Sequence, residues 1–152
     1  MLKNFFLIIL LLSLFSHCEY KPVYSDQNKV NHKIIITSFS GDRDINNIII
    51  ANLKRSSKNN SNEVINISFD TKYKKRALVK NTAGTITDYQ TDVVTKFTIK
   101  RKNSNENFEL NEKFNFQKMT DKYEEKNYEQ NIKRNLASSI SQKLILRLAV
   151  FE

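Results

Sequence analysis
The chain is poor in the residues that build catalytic sites and in those that break regular structure. Its 152 residues include one Cys, two His, one Pro, two Gly and no Trp. One Cys excludes an internal disulfide framework and a Cys-rich zinc site. Gly41 and Gly84 stand apart, so no Gly-rich phosphate loop exists. So little Gly and Pro excludes collagen-like and Pro/Gly-rich disordered chains. After the N-terminus no apolar run approaches the length of a bilayer-spanning helix, which excludes a polytopic membrane protein. His17 and His32 fall in an N-terminal export segment and a polar tether, so neither is expected in the fold. That leaves no Ser–His or Cys–His nucleophile pair and no metal site, and the expectation is a protein that is not an enzyme and has no cofactor. Asp88 and Asp92, four apart on one strand, share a face, but such a pair reads first as a solvated sheet surface.

What the chain does have is positive charge. Lys and Arg number 25 against 16 Asp and Glu, a surplus of +9. Residues 1–17 hold one Lys and no acid, so the surplus drops by only one without them. Such a balance suits anionic partners: nucleic acid, phosphate-rich lipid or a membrane surface. Lys, Asn and Ile are also the commonest residues, the mixture an AT-rich coding sequence yields, so part of the excess fits a plain solvated surface.

The N-terminus has the order of an export signal. Lys3 precedes the apolar run Phe5–Phe15, which is broken only by Ser13. The run is short for a bilayer span and right for a signal-peptide core. The one Cys of the chain, Cys18, follows it directly, as in a bacterial lipoprotein whose cysteine carries the acyl chains. His17 stands where Gly, Ala or Ser is usual, so an ordinary signal peptide or an uncleaved anchor are the alternatives. Each of the three places the domain outside the cytoplasm, which argues against nucleic acid. The division is therefore signal peptide at 1–17, lipidated tether at 18–32 and a single domain at 33–152. About 135 residues suffice for one core that buries roughly 65–70% of the unfolded surface.

Periodicity then sets out the domain. Lys33–Phe39 is rich in β-branched residues and reads as a strand. Asp42 or Asp44 caps a helix over 44–55, with Ile45, Ile48, Ile49 and Leu53 at helical spacing. Ile65, Ile67, Phe69, Thr71 and Tyr73 alternate with polar residues in a half-buried strand that is expected to continue, after a bulge, through Ala77, Leu78 and Val79. Asn81–Gly84 is a turn, Thr85–Arg101 a second long strand, 102–107 a second turn. Phe108, Leu110, Phe114 and Phe116 mark a third strand of the meander. Asp121 caps a last helix with Glu124 as capping-box partner. Tyr128, Ile132, Leu136, Ile140, Leu144 and Leu148 form its apolar stripe, and Glu129 and Lys133 are expected on its solvent side. The order β-α-β-β-β-α predicts an α+β two-layer sandwich: a mostly antiparallel four-stranded sheet covered by two helices.

One cluster invites a ligand. Lys72, Lys74, Lys75, Arg76 and Lys80 approach the turn at 81–84, with Leu78 and Val79 among them. Cations beside a hairpin tip bind phosphates, and apolar neighbours suit a lipid-like anion. The plainer reading is a solvated, charged strand end.

Three short motifs add a family. Cys18–Tyr24 (CEYKPVY) resembles the Cys-Gly-Phe-x-Pro-Leu-Tyr start of the LptE lipoproteins, which assist lipopolysaccharide assembly in the Gram-negative outer membrane. Ile86–Gln90 (ITDYQ) resembles that family's Tyr-containing stretch after the hairpin. Leu136–Leu144 (LASSISQKL) is similar to its last-helix Leu-Ala-x-x-Ile-x-x-x-Leu. The resemblance implies an outer-membrane lipoprotein on the periplasmic side, acylated at Cys18. It further implies a plug inside an LptD-type β-barrel that helps the barrel assemble and binds lipopolysaccharide. By position in the motif pattern it places Lys80 as the basic residue at the hairpin, with Lys75 and Arg76 as further candidates and Lys122 at the start of the last helix. A stand-alone envelope lipid-binding lipoprotein, auxiliary to a transport system, is the alternative.

Overall fold
A computed structural model describes residues 30–102 and 104–150. The elements are β1 (Lys33–Gly41), α1 (Arg43–Ser56), β2 (Val64–Lys80), β3 (Ile86–Lys100), β4 (Asn105–Gln117) and α2 (Lys122–Val150). The strands form one sheet in the order β1-β2-β3-β4. β1 lies parallel to β2, as a β-α-β crossover through α1 requires, and the other pairs are antiparallel hairpins. The expected α+β sandwich, with its order β-α-β-β-β-α and mostly antiparallel sheet, is the fold observed.

The alternation on β2 decides which face is covered. Ile65, Ile67, Phe69 and Thr71 are buried, and so are Val93, Thr95, Phe97 and Ile99 on the same face of β3. Against this face pack Ile45, Ile49 and Leu53 of α1 and the stripe Ile132, Leu136, Ile140, Leu144 and Leu148 of α2. Tyr128, the first residue of the expected stripe, stays 37% exposed and meets the ring of Phe116 edge-on. Ser139 and Lys143 reach Glu112, and Arg147 reaches Glu106, tying α2 to β4. The other face of the sheet carries no helix and is polar, with Asn66, Ser68, Asp70 and Lys72 on β2 facing out. The register of β2 is regular ahead of Ala77, where the bulge is expected, and shifts instead between Ala77 and Lys80.

Both helices start on an aspartate. Asp42 Oδ1 accepts from the backbone N–H groups of Asp44 and Ile45, each at 3.1 Å. Asp121 Oδ1 accepts from Tyr123 and Glu124 at 2.6 and 3.0 Å. The side chain that reaches back past this cap is Glu125, which accepts from Met119 N–H at 3.1 Å. Glu124, expected in that role, is exposed.

The folded unit begins earlier than expected. Val30 is fully buried, and its N–H donates to the Ser56 carbonyl at 3.0 Å. His32 is only 9% exposed, and its Nε2 lies 2.7 Å from Glu63 Oε2. Polarity placed these residues in the tether. Backbone pairing with the end of α1 and the loop before β2 places them in the fold, so His32 belongs to the domain. The signal segment and Cys18 lie outside the described residues.

Candidate functional site
The site grows out of the hairpin formed by β2 and β3. At its covered end, alternation aims every second β2 side chain at α2, and this continues one residue beyond the apolar ones. Tyr73 donates to Glu129 at 2.5 Å. Lys75 donates to Glu125 at 2.8 Å and to Glu129 at 2.9 Å, and its ammonium sits 4.2 Å above the Tyr89 ring. Lys133 bonds Asp42 at 2.8 Å and lies 4.1 Å over the Tyr73 ring. Glu129 and Lys133 are therefore not a solvent-side pair. They face the sheet, because Tyr73, Lys75 and Asp42 offer each a partner that solvent would have to replace.

Electrostatics follow from this geometry. Burial would raise Glu129, but hydrogen bonds from Tyr73 and Lys75 outweigh it and hold the carboxyl below its ordinary range. The Lys75 hydrogen bond lowers Glu125, against a smaller opposing effect of burial. Asp42 is lowered as well: burial opposes, while Lys133 and the two cap N–H groups prevail. Burial would lower Lys75, but its two carboxylate partners hold it above its usual value. Burial and the neighbouring Glu129 push the Tyr73 phenol far up.

Arg76 points to the opposite face. Its guanidinium holds Gln90 and lies 3.5 Å from Asp92. Asp92 is also 4.0 Å from Lys113 and only 9% exposed, so it is not the solvated carboxylate the sequence suggested. Asp88 lies four strand residues away, roughly 13 Å along the chain. Its Oδ2 accepts from Thr87 at 2.7 Å. The two carboxylates are thus separate and form no catalytic dyad.

Past Arg76 the hairpin overhangs the helices. Leu78 and Val79 are 45% and 46% exposed. Lys80 pairs with Ile86 across the ladder and is exposed, and Asn81 closes the turn by accepting from Ala83 and Thr85. The end of β4 joins here, since Lys118 N–H donates to the Thr87 carbonyl at 2.7 Å. Between the hairpin and the start of α2 opens a groove of about 900 Å³, lined by Ile86, Asp88, Tyr89, Lys118, Met119 and Lys122 among others. Lys80, Lys118 and Lys122 are exposed and form no ion pair among the described residues.

Of the four cations singled out from the sequence, the structure brings Lys80 and Lys122 to this one end. Lys75 is engaged by two carboxylates under α2, and Arg76 is engaged on the far face. Lys118 was missed. Its signal was its place in the short link between β4 and the Asp121 cap, which sets it beside Lys122. Among the described residues no three metal-ligating side chains gather.

No protein-family model matches the chain, and no curated protein matches it in sequence. Solved structures do match in shape. Rare lipoprotein B from Shewanella oneidensis superposes with a TM-score of 0.53 at 11% identity, covering 72% of this chain and 93% of that one. The chain has that protein's fold. A protein from Caulobacter crescentus CB15 described as a lipoprotein gives 0.51 at 7% identity, covering 82% and 91%. At such identities the likeness to rare lipoprotein B is one of architecture, and the side chains at the hairpin tip stand on their own geometry.

Proposed function
We propose that the protein is an envelope lipoprotein of the LptE type. It sits on the periplasmic side of the outer membrane, anchored through Cys18, fills and helps assemble an LptD-type β-barrel, and binds lipopolysaccharide. The observation that carries the reading is the overhanging hairpin tip. Lys118 and Lys122 line an open groove that also holds Asp88 and Glu125, and Lys80 stands exposed on the hairpin beyond it. None of the three forms an ion pair among the described residues, and Leu78 and Val79 are exposed beside them. Multiply charged phosphates on acyl chains need that combination of point charges and apolar surface. Lysine supplies charge there without the bidentate fork of arginine. The cations would be less screened inside a confined lumen than on an open surface.

Two further features support it. The motif resemblance and the shape likeness point to one LptE-like fold family. The uncovered sheet face is polar, with Asn, Ser, Lys and Asp outward, as suits the polar interior of an outer-membrane barrel. The stand-alone lipid-binding reading draws on a different observation: the apolar core closes between the sheet and two helices without a partner.

Binding of purified lipopolysaccharide tests the tip. Lys80→Glu with Lys122→Glu should weaken it at least about tenfold, since each reversal removes a charge-assisted contact and adds repulsion. Dephosphorylated lipopolysaccharide should bind the unaltered chain no better than that double variant binds the intact lipid. Full binding by the double variant would remove the tip from the account.

A further inference from the structure
The net positive charge is not spread evenly over the fold. At the hairpin-tip end, cations alternate with carboxylates: Asp88, Asp121, Glu124 and Glu125 all lie there. The opposite end differs. It gathers the start of β1, the last turn of α1, the loop before β2 and the turn between β3 and β4. Lys33, Lys54, Arg55, Lys58, Lys100 and Lys102 are exposed on these segments. None of the six forms an ion pair among the described residues. Among the described residues the acids of this end, Glu63 and Glu106, are already held by His32 and Arg147. A groove of about 720 Å³ opens between the two loops, with Arg101 and Lys102 on one wall and His32 and Asn62 on the other.

This end is also where the chain arrives from its N-terminus. Val30 is buried here against the end of α1. The chain between Cys18 and Val30 reaches at most about 40 Å when fully extended. If residues 1–29 attach the protein to a membrane, the basic end is the part of the domain held nearest to it. From this placement we propose that the basic end docks on anionic phospholipid headgroups of that membrane. The inference rests on the reading of residues 1–29 as a membrane attachment, and it needs neither a barrel nor lipopolysaccharide. Charge complementarity selects the occupant. An anionic leaflet attracts each nearby Lys or Arg, while a zwitterionic surface does not. In the absence of a barrel, docking would fix which end of the domain faces the lipid.

The test uses the full acylated chain reconstituted in phosphatidylcholine vesicles, with or without phosphatidylglycerol, and free of lipopolysaccharide. The N-terminal anchor holds the protein to both. Hydrogen exchange is read at the amides of Lys58, Ser61 and Arg101, which are bonded to His32, Lys58 and Ser104 carbonyls. Phosphatidylglycerol should slow them about fivefold or more, with no change at the hairpin turn. Lys58→Glu with Lys102→Glu, both at exposed loop positions, should abolish the slowing, and Lys80→Glu at the far end should leave it intact. High salt should erase it as the screening length shrinks. Equal exchange in the two vesicle types would overturn the proposal. So would slowing that survives the Lys58/Lys102 reversals, or slowing by a soluble polyanion with none by the lipid.

Discussion
Lys75 and Lys80 stand five residues apart on one strand and have opposite fates. Lys75 lies under α2, between two carboxylates and above an aromatic ring. Lys80 lies past the reach of the helices, in water, with no ion pair among the described residues. Burial alone does not separate them; cover does. Where a helix spans the sheet, a cation must be matched by carboxylates, and the match ties α2 to β2. Where the hairpin overhangs, a cation remains available to a ligand. The same basic run thus holds one residue that maintains the fold and one free to bind.

This contrast sets a series of expected effects. The largest falls in the covered stretch. Phe97→Ala removes a fully enclosed ring and should cost about 3–5 kcal/mol in denaturant unfolding, while Leu78→Ala in the overhang should cost less than about 0.5 kcal/mol. Equal losses would erase the distinction. Next is Gly41→Ala, at the corner between β1 and α1. Gly41 has φ 94°, and an added Cβ would stand 1.7 Å from the Thr71 carbonyl oxygen, so a loss of about 3 kcal/mol is expected. Gly84, at the tip, has φ 78° but open space around it, and its alanine variant should lose only about 1 kcal/mol.

Lys75→Met leaves two carboxylates crowded beneath α2 and should destabilise by about 2 kcal/mol, a buried-pair figure discounted for partial exposure. Lys80→Met should change stability by less than about 0.5 kcal/mol. The smallest effect is in the pH profile. Asp42, Glu125 and Glu129 titrate below their ordinary values in the folded chain, so their contribution is present above those ordinary values and lost as pH falls through the depressed ones. Lys75 is raised, so its contribution is present below its ordinary value and lost as pH rises through the folded one. Stability should be flat between the two limits, and Glu129→Gln should shallow the acid limb by about 1 kcal/mol. An unchanged acid limb would show that the cluster is not formed in solution.

Much of this architecture is legible in the chain. The two-residue alternation from Ile65 to Tyr73 and the long stripe of α2 fixed the layers, because burial on one face leaves a periodic trace. Partnerships that cross the layers left none. An opposite-charge pair four residues apart, such as Glu129 and Lys133, has the same spacing whether it faces water or a sheet. Its true orientation depends on Tyr73, Lys75 and Asp42, distant in sequence. His32 was hidden by the polar company of the tether, and only its pairing with Glu63 and the loop at Lys58 brings it inside. At the candidate site, Lys80 and Lys122 were readable through motif positions. Lys118 and the sequestration of Lys75 and Arg76 required the strand register.

The central claim is that the folded domain works inside an outer-membrane β-barrel. The most direct measurement is a C-terminally tagged chain drawn from native membranes in mild detergent, with co-purifying proteins identified by mass spectrometry. The account predicts one large β-barrel protein in stoichiometric amount, retained by Lys75→Met and by the wild type alike. Recovery of the chain alone, folded and without a barrel, would contradict it.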